Sequence, residues 1–301
     1  VVLTLSRQSY TTSALSSQAS SVGEGLDAAA YDATGEMATL IENLDYSYGI
    51  DSMYLAANAL TDYTLNVLSP EIYATFSQNV FEAGRMVTDA QRSGMREAGG
   101  DASQGFANPL DFGPASLASQ NTDISGVPGA AAGGSQSMSL GRLGVFLKPL
   151  GMRATQQGDA DQTGYVTLAG GVTGGILYRP TKELTLGLAP SYISQSITMH
   201  SEGGAQGSIN DWSLALLASY KSGSFYGVAS IRGGYDAFRS SRSLPLPTGK
   251  YMANANWDGW NMSATVGGGY DFTIGDFTVG PLASYSSRSE EHTSELQSHH
   301  D

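Results

Sequence analysis

A two-residue alternation of apolar and small polar side chains restricts this chain more than any other feature. In Trp260 to Phe272, WNMSATVGGGYDF, one face carries Trp260, Met262, Ala264, Val266, Gly268, Tyr270 and Phe272, and the other Asn261, Ser263, Thr265, Gly267, Gly269 and Asp271. Leu184, Leu186, Leu188, Pro190 and Tyr192 alternate in the same way with Thr185, Gly187, Ala189 and Ser191. Trp212, Leu214, Leu216, Ala218 and Tyr220 alternate with Ser213, Ala215, Leu217 and Ser219, Leu217 being the one lapse. A period of two is that of a β-strand, whose successive side chains point to opposite faces. Soluble strands usually stop near ~5 or 6 residues, whereas a strand that crosses a bilayer needs ~9 to 11. Each apolar face ends in aromatics at one or both ends, as the interfacial girdles of a membrane barrel demand. The opposite face is small and polar, which suits a wet lumen better than a packed interior. The expected fold class is therefore mainly β, an antiparallel transmembrane β-barrel.

Seven such strands are expected, near residues 142 to 154, 168 to 180, 183 to 199, 209 to 221, 224 to 242, 258 to 274 and 277 to 287. Short turns such as Lys221-Ser222-Gly223-Ser224 and Gly275-Asp276 alternate with longer polar loops, Gln156 to Thr163, Ser201 to Ser208 and Ser243 to Asn256. Outer-membrane barrels show this asymmetry between short periplasmic turns and long external loops. A soluble β-sandwich would also bury one face of each strand, so a surface or adhesin module without a pore is the competing reading.

Composition narrows the choice. Only 14% of the 301 residues are charged, well below the ~25% of a typical soluble domain. The 38 glycines suit strands that pass close to one another or bend sharply. With no cysteine, there is neither a disulfide framework nor a thiolate site. The net charge of -13 and the lack of any basic run argue against a nucleic-acid partner, because phosphate binding needs clustered Lys and Arg. No run of ~20 apolar residues occurs, so a transmembrane helix is not expected. Val1-Val2-Leu3 has no initiating Met and begins nothing like a secretory signal, so residues are expected to precede it.

Four regions are expected along the chain. Residues 1 to 100 carry helical patterning, residues 101 to 140 are a Gly-, Ala- and Ser-rich linker or pore segment, and residues 141 to 287 are the partial barrel. The fourth is residues 288 to 301: Arg288 to Ser298, RSEEHTSELQS, resembles the in-frame translation of a sequencing-library adapter and reads as read-through, a natural polar tail being the alternative. In the first region Leu65, Leu68, Ile72, Phe76 and Val80 recur at steps of three and four and share one helical face, read as ordinary core. Ser69-Pro70-Glu71 would start that helix with Ser as N-cap, Pro at the first helical position and an acid near the positive dipole end.

With these residues laid out, the chain resembles the autotransporter, or type V secretion, family. Ala59-Leu60, then Leu68-Ser69-Pro70-Glu71-Ile72-Tyr73-Ala74 and Phe81-Glu82-Ala83-Gly84-Arg85 look like the helical region ahead of the family's translocator. Gly170 to Gly175, Leu184 to Tyr192, Ser213 to Tyr220 and Gly267 to Phe272 look like its successive strands. The resemblance implies an outer-membrane translocator that helps move an N-terminal passenger to the cell surface. Its implied partners are outer-membrane lipid, the chain's own passenger and the barrel assembly machinery, which reads a final strand ending in an aromatic. Family barrels have twelve strands, of which about seven are expected here. Some members cleave their passenger at paired asparagines, but no Asn-Asn pair exists in this sequence, and no self-cleavage residues are assigned.

A search for other chemistry yields no catalytic, cofactor-binding or metal-ligating residue. GxSxG, GxxxxGK[ST] and HExxH are absent. His200 is the single histidine outside the adapter-like tail, too few for a typical zinc site, and reads as an exposed loop residue. Asp159 and Asp161 read as loop-solvating acids. Arg142, Arg153, Arg179 and Arg232 fall within strand patterns and are expected to face the lumen, where water or acids such as Asp271 would meet them. The chain is not expected to be an enzyme.

Overall fold

The structure is a computed structural model that describes residues 9–54, 59–99, 122–123, 136–158, 163–200, 204–246, 249–274, 277–279 and 282–293. The helical region comprises a 3-10 turn, Tyr10–Ser13, followed by α1 (Ser17–Ala29), α2 (Gly35–Tyr54), α3 (Ala59–Leu68) and α4 (Glu71–Ala98). Ser16 caps α1 by accepting the Ala19 N–H at 3.1 Å, which satisfies one of the donors a helix start leaves unpaired. Tyr10, Ala19, Leu26, Leu44 and Leu65 form a small core among the first three helices. The Tyr10 hydroxyl crosses that core to donate to Asp45 Oδ1 at 2.8 Å.

α4 begins one residue later than Ser69-Pro70-Glu71 suggests. Pro70 takes the N-cap position, and Ser69 Oγ instead accepts the Glu71 N–H at 3.4 Å. Proline has no N–H to satisfy and its φ suits a helix entrance, so either position is compatible with its ring.

The strands are β1 (Thr122–Asp123), β2 (Gln136–Leu140), β3 (Leu143–Gln156), β4 (Tyr165–Tyr178), β5 (Leu184–Met199), β6 (Gln206–Ser222), β7 (Phe225–Leu246), β8 (Gly249–Tyr270), β9 (Phe272–Ile274), β10 (Phe277–Val279) and β11 (Leu282–Thr293). β3 through β8 and then β11 pair in chain order, β1 and β2 add to the free side of β3, and β9 with β10 forms a separate hairpin. Every pairing is antiparallel. This is the up-and-down connectivity of the expected class, and no second sheet covers the outer face among the described residues.

Three expectations change. Ser243 to Asn256, read as a loop, instead lies largely in the β7–β8 hairpin, whose register runs unbroken from Phe225↔Tyr270 to Leu246↔Gly249. Apolar alternation fades there while the ladder hydrogen bonds persist, because backbone pairing does not depend on side-chain polarity. The strand read as 258 to 274 ends at Tyr270, where the Asp271 N–H donates to Ser224 O at 2.8 Å, and the last strand starts at Leu282. Finally, β11 pairs with β8 through Thr293↔Asp258, so pairing continues into the adapter-like residues. The turn residues Gly275-Asp276, the acids Asp159 and Asp161, and most of the 101 to 140 segment lie outside the described residues.

Candidate functional site

The two faces of the sheet differ in kind. Outward-pointing Leu186, Leu188, Trp212, Leu214, Leu216, Trp260, Met262 and Val266 are all exposed, up to 63% at Trp260. Their neighbours Thr185, Ala189, Ser191, Ser213, Ala215, Asn261, Ser263 and Thr265 are buried. A soluble protein does the reverse, because burying apolar area is worth roughly 25 cal/mol per Å² only when water is the alternative.

Aromatics border this apolar face in two rows. Tyr192, Trp212, Tyr235 and Trp260 occupy successive register positions on β5 to β8, with ring centroids 5.3, 6.2 and 5.2 Å apart. Tyr220 and Phe225, 6.3 Å apart, and Tyr270 and Phe272, 4.7 Å apart, mark the other row. Eight residues separate the rows along β6 and ten along β7 and β8. At ~3.4 Å per residue and a tilt near ~40°, the rows are roughly 20 to 26 Å apart, the height of an outer-membrane apolar band.

On the inner face lies α4, whose buried stripe Ile72, Phe76, Val80, Ala83, Val87, Gln91, Met95 and Ala98 repeats at three and four residues. Its first turns pack with Tyr165, Ile197, Met199, Ile209 and Phe238. Its middle meets Leu150, Ala169 and Ile193. Its last turn meets Phe146, Leu177, Ala189, Ala215 and Leu217. The helix thus runs from the end of the sheet that bears the connections at 157–164, 200–205 and 247–248 to the end with the turns at 141–142, 179–183 and 223–224. The expectation of a wet inner face fails over β3 to β6, where the helix fills the space. It also explains the lapse at Leu217, which is 3% exposed and packs under the helix end.

Glycines make this close approach possible. A Cβ on Gly94 of α4 or Gly175 of β4 would overlap the Phe146 ring, and one on Gly207 of β6 would overlap Phe76. Polar ties add to the packing. Gln91 Nε2 donates to Thr173 Oγ1 at 3.3 Å and Ala189 O at 3.2 Å, and Lys148 Nζ donates to Glu97 Oε1 at 2.6 Å and Ser93 Oγ at 3.0 Å.

Toward β7 and β8 the inner face holds a buried polar network. Arg232 lies 3.5 Å from Asp211 Oδ2 and donates to Ser213 Oγ at 3.1 Å and Asn261 Oδ1 at 2.9 Å. Asn261 Nδ2 in turn donates to Asp211 Oδ2 at 3.1 Å and Asp236 Oδ2 at 2.5 Å. Of the four arginines singled out in the sequence, only Arg232 behaves as expected, and its acid is Asp211 rather than Asp271. Arg153 points outward and is exposed. Arg142 lies in the β2–β3 turn, and Arg179, just past β4, donates to Ser139 Oγ and Gly141 O at 2.5 and 2.6 Å. His200 is exposed after β5, its N–H donating to Gly164 O at 2.8 Å. Asp211, Asp236 and Asn261 were not singled out, although their inward parity within otherwise small-residue faces was the available signal.

A one-layer antiparallel sheet, greasy outside, polar inside and threaded by a helix, defines a membrane β-barrel architecture, since strands can span lipid only when their faces are sorted this way. Residues 145–289 match the family model described as "Autotransporter beta-domain". Those residues are an autotransporter β-domain, of the family of outer-membrane translocator barrels, and helices precede them here. No curated protein matches the chain, and no solved structure does.

Proposed function

We propose that this β-domain exports the chain's own upstream passenger across the outer membrane, with α4 as the part of the exported chain that stays in the pore. The direction of α4 carries the reading. Among the described residues before Glu71, α3 lies at the long-connection end, where it touches β7 and Arg242 of β7 donates to Leu68 O. If the aromatic rows flank the bilayer, that end is the cell surface, and the short-turn end is periplasmic. Such a role needs no catalytic side chain and no cofactor. It also entails assembly into the membrane by the barrel assembly machinery.

The regional assignment follows. We assign residues 1–100 to the helical region preceding the translocator, 101–140 to the linker or pore segment, 141–287 to the barrel strands and 288–301 to the adapter-like read-through. In support of the last boundary, the outward position of β11 just past it carries Ser289 opposite Met262, while outward Met262, Leu214 and Leu186 on other strands are large and apolar. Proteolysis of intact cells expressing the full-length gene tests the export reading. Residues before Glu71 should be cleaved from outside while α4 is protected. Cleavage only after the outer membrane is opened would refute it.

A further inference from the structure

Beyond the apolar band, the β7–β8 hairpin continues for eleven residues past Tyr235, about 35 Å of ribbon. Its inner face packs on the start of α4. Trp257 stacks on Phe238, 5.2 Å between centroids and 7° between planes, and the Phe76 ring stands edge-on to both, at 5.0 Å from Trp257 and 5.7 Å from Phe238. Tyr73 closes the group, 5.4 Å from Trp257. Arg242 Nη1 from the same hairpin donates to Leu68 O at 3.1 Å and Ser69 O at 2.9 Å, the carbonyls at the end of α3, where a helix presents its negative pole. On the opposite side Glu71 accepts the Thr163 N–H of the β3–β4 connection at 3.1 Å.

We infer that this end of the sheet is a binding site for one segment of the chain itself, Leu68 to Phe76, and that it locks α4 in place. The segment matches the site chemically: two rings for an aromatic slot, two carbonyls at a helix end for a guanidinium, and a carboxylate for a backbone N–H. Chain lacking this combination would pass the hairpin without being held, so the site distinguishes the final stretch of an exported polypeptide from what precedes it. The inference rests on the export reading for its purpose, but the contacts stand without it.

These residues contain no cysteine, so Val87→Cys, buried midway along α4, gives a single reporter once any cysteine upstream of them is replaced by serine. In the full-length protein reconstituted in phosphatidylcholine vesicles, a membrane-impermeant maleimide should label the introduced thiol at least tenfold faster in Arg242→Met/Trp257→Ala than in the otherwise unchanged chain. Trp257→Phe should restore slow labelling. Because the double change could disturb folding, Glu71→Gln/Tyr73→Ala, which alters only the helix side, should accelerate labelling as well. Heat-modifiable migration establishes that each variant is folded. Unchanged rates in the folded variants of either side would overturn the inference. Whether residues before Glu71 reach the cell surface is read separately by the proteolysis experiment, so export and locking can fail independently.

Discussion

Adjacent residues of β6 experience opposite surroundings. Leu214 and Leu216 point away from α4 and are about half exposed, whereas Ser213, Ala215 and Leu217 are buried beneath the inner layer. Between its aromatic rows the outward side is marked by apolarity alone, whereas the inward side is defined by specific partners, through Phe146 seated against Gly94 and Gly175 and through the Arg232 network. The outer face therefore requires only apolarity at a given depth. The inner face requires particular residues, because each buried polar group there must meet its partner.

The largest effect should come from breaking that inner specificity. Arg232→Met leaves Asp211 and Asp236 buried beside Asn261 without their cation, and removing one partner of a buried ion pair costs about 3 to 5 kcal/mol. Urea unfolding in detergent should show a large fall in the midpoint. A triple variant that also carries Asp211→Leu and Asp236→Leu should recover most of it, since a well-packed apolar replacement is often neutral. A single variant as stable as the parent would show that this region is as permissive as the outer face.

Next should come Leu216→Arg, roughly halfway between the aromatic positions Trp212 and Tyr220 on the outward side. An arginine facing lipid near mid-membrane costs roughly 2 to 4 kcal/mol. In detergent micelles, which adapt around the side chain, the loss should shrink, while refolding into vesicles should report all of it. Equal losses in both would mean that the outward face is covered by protein instead. Gly175→Val ranks third. Overpacking a close-fitted interior costs typically about 1 to 3 kcal/mol, and Phe146→Leu in the same chain should return part of the loss, because the added methyls would occupy the space of that ring.

The same contrast explains what could be read from the sequence. Outward positions announce themselves, since lipid imposes one rule on all of them, and the faces of Leu184 to Tyr192, Trp212 to Tyr220 and Trp260 to Tyr270 are visible without a structure. The stripe Ile72, Phe76 and Val80 was equally visible as a helical face, but periodicity names no partner, so its seat on Tyr165, Ile209 and Phe238 was not. Leu217 looked like a fault in the pattern because the object it packs against lies more than a hundred residues earlier in the chain. The polar run Ser243 to Asn256 misled in the other direction: hydrogen bonds hold it as strand, and hydrogen bonding leaves no period in composition. Asp211, Asp236 and Asn261 were hidden because an inward polar residue in a barrel looks the same whether it meets water or an arginine.

The smallest expected effect separates two kinds of inner-face charge. Lys148 and Glu97 approach at 2.6 Å, but while the Lys148 side chain is 11% exposed that of Glu97 is 38% exposed, so water competes for the carboxylate and the pair is closer to a surface salt bridge than the Arg232 cluster is. Such pairs contribute about 0 to 1 kcal/mol, and because screening at ~0.15 M salt acts over about 8 Å, the contribution should fade as salt is raised. Glu97→Gln should therefore lower the urea midpoint slightly in dilute buffer and not at all at molar salt, with Ser93 Oγ still available to the Lys148 ammonium. A salt-independent loss comparable with that of Arg232→Met would mean that water is excluded along the whole length of α4, and that the inner face is dry at its turn end as well as beneath β7 and β8.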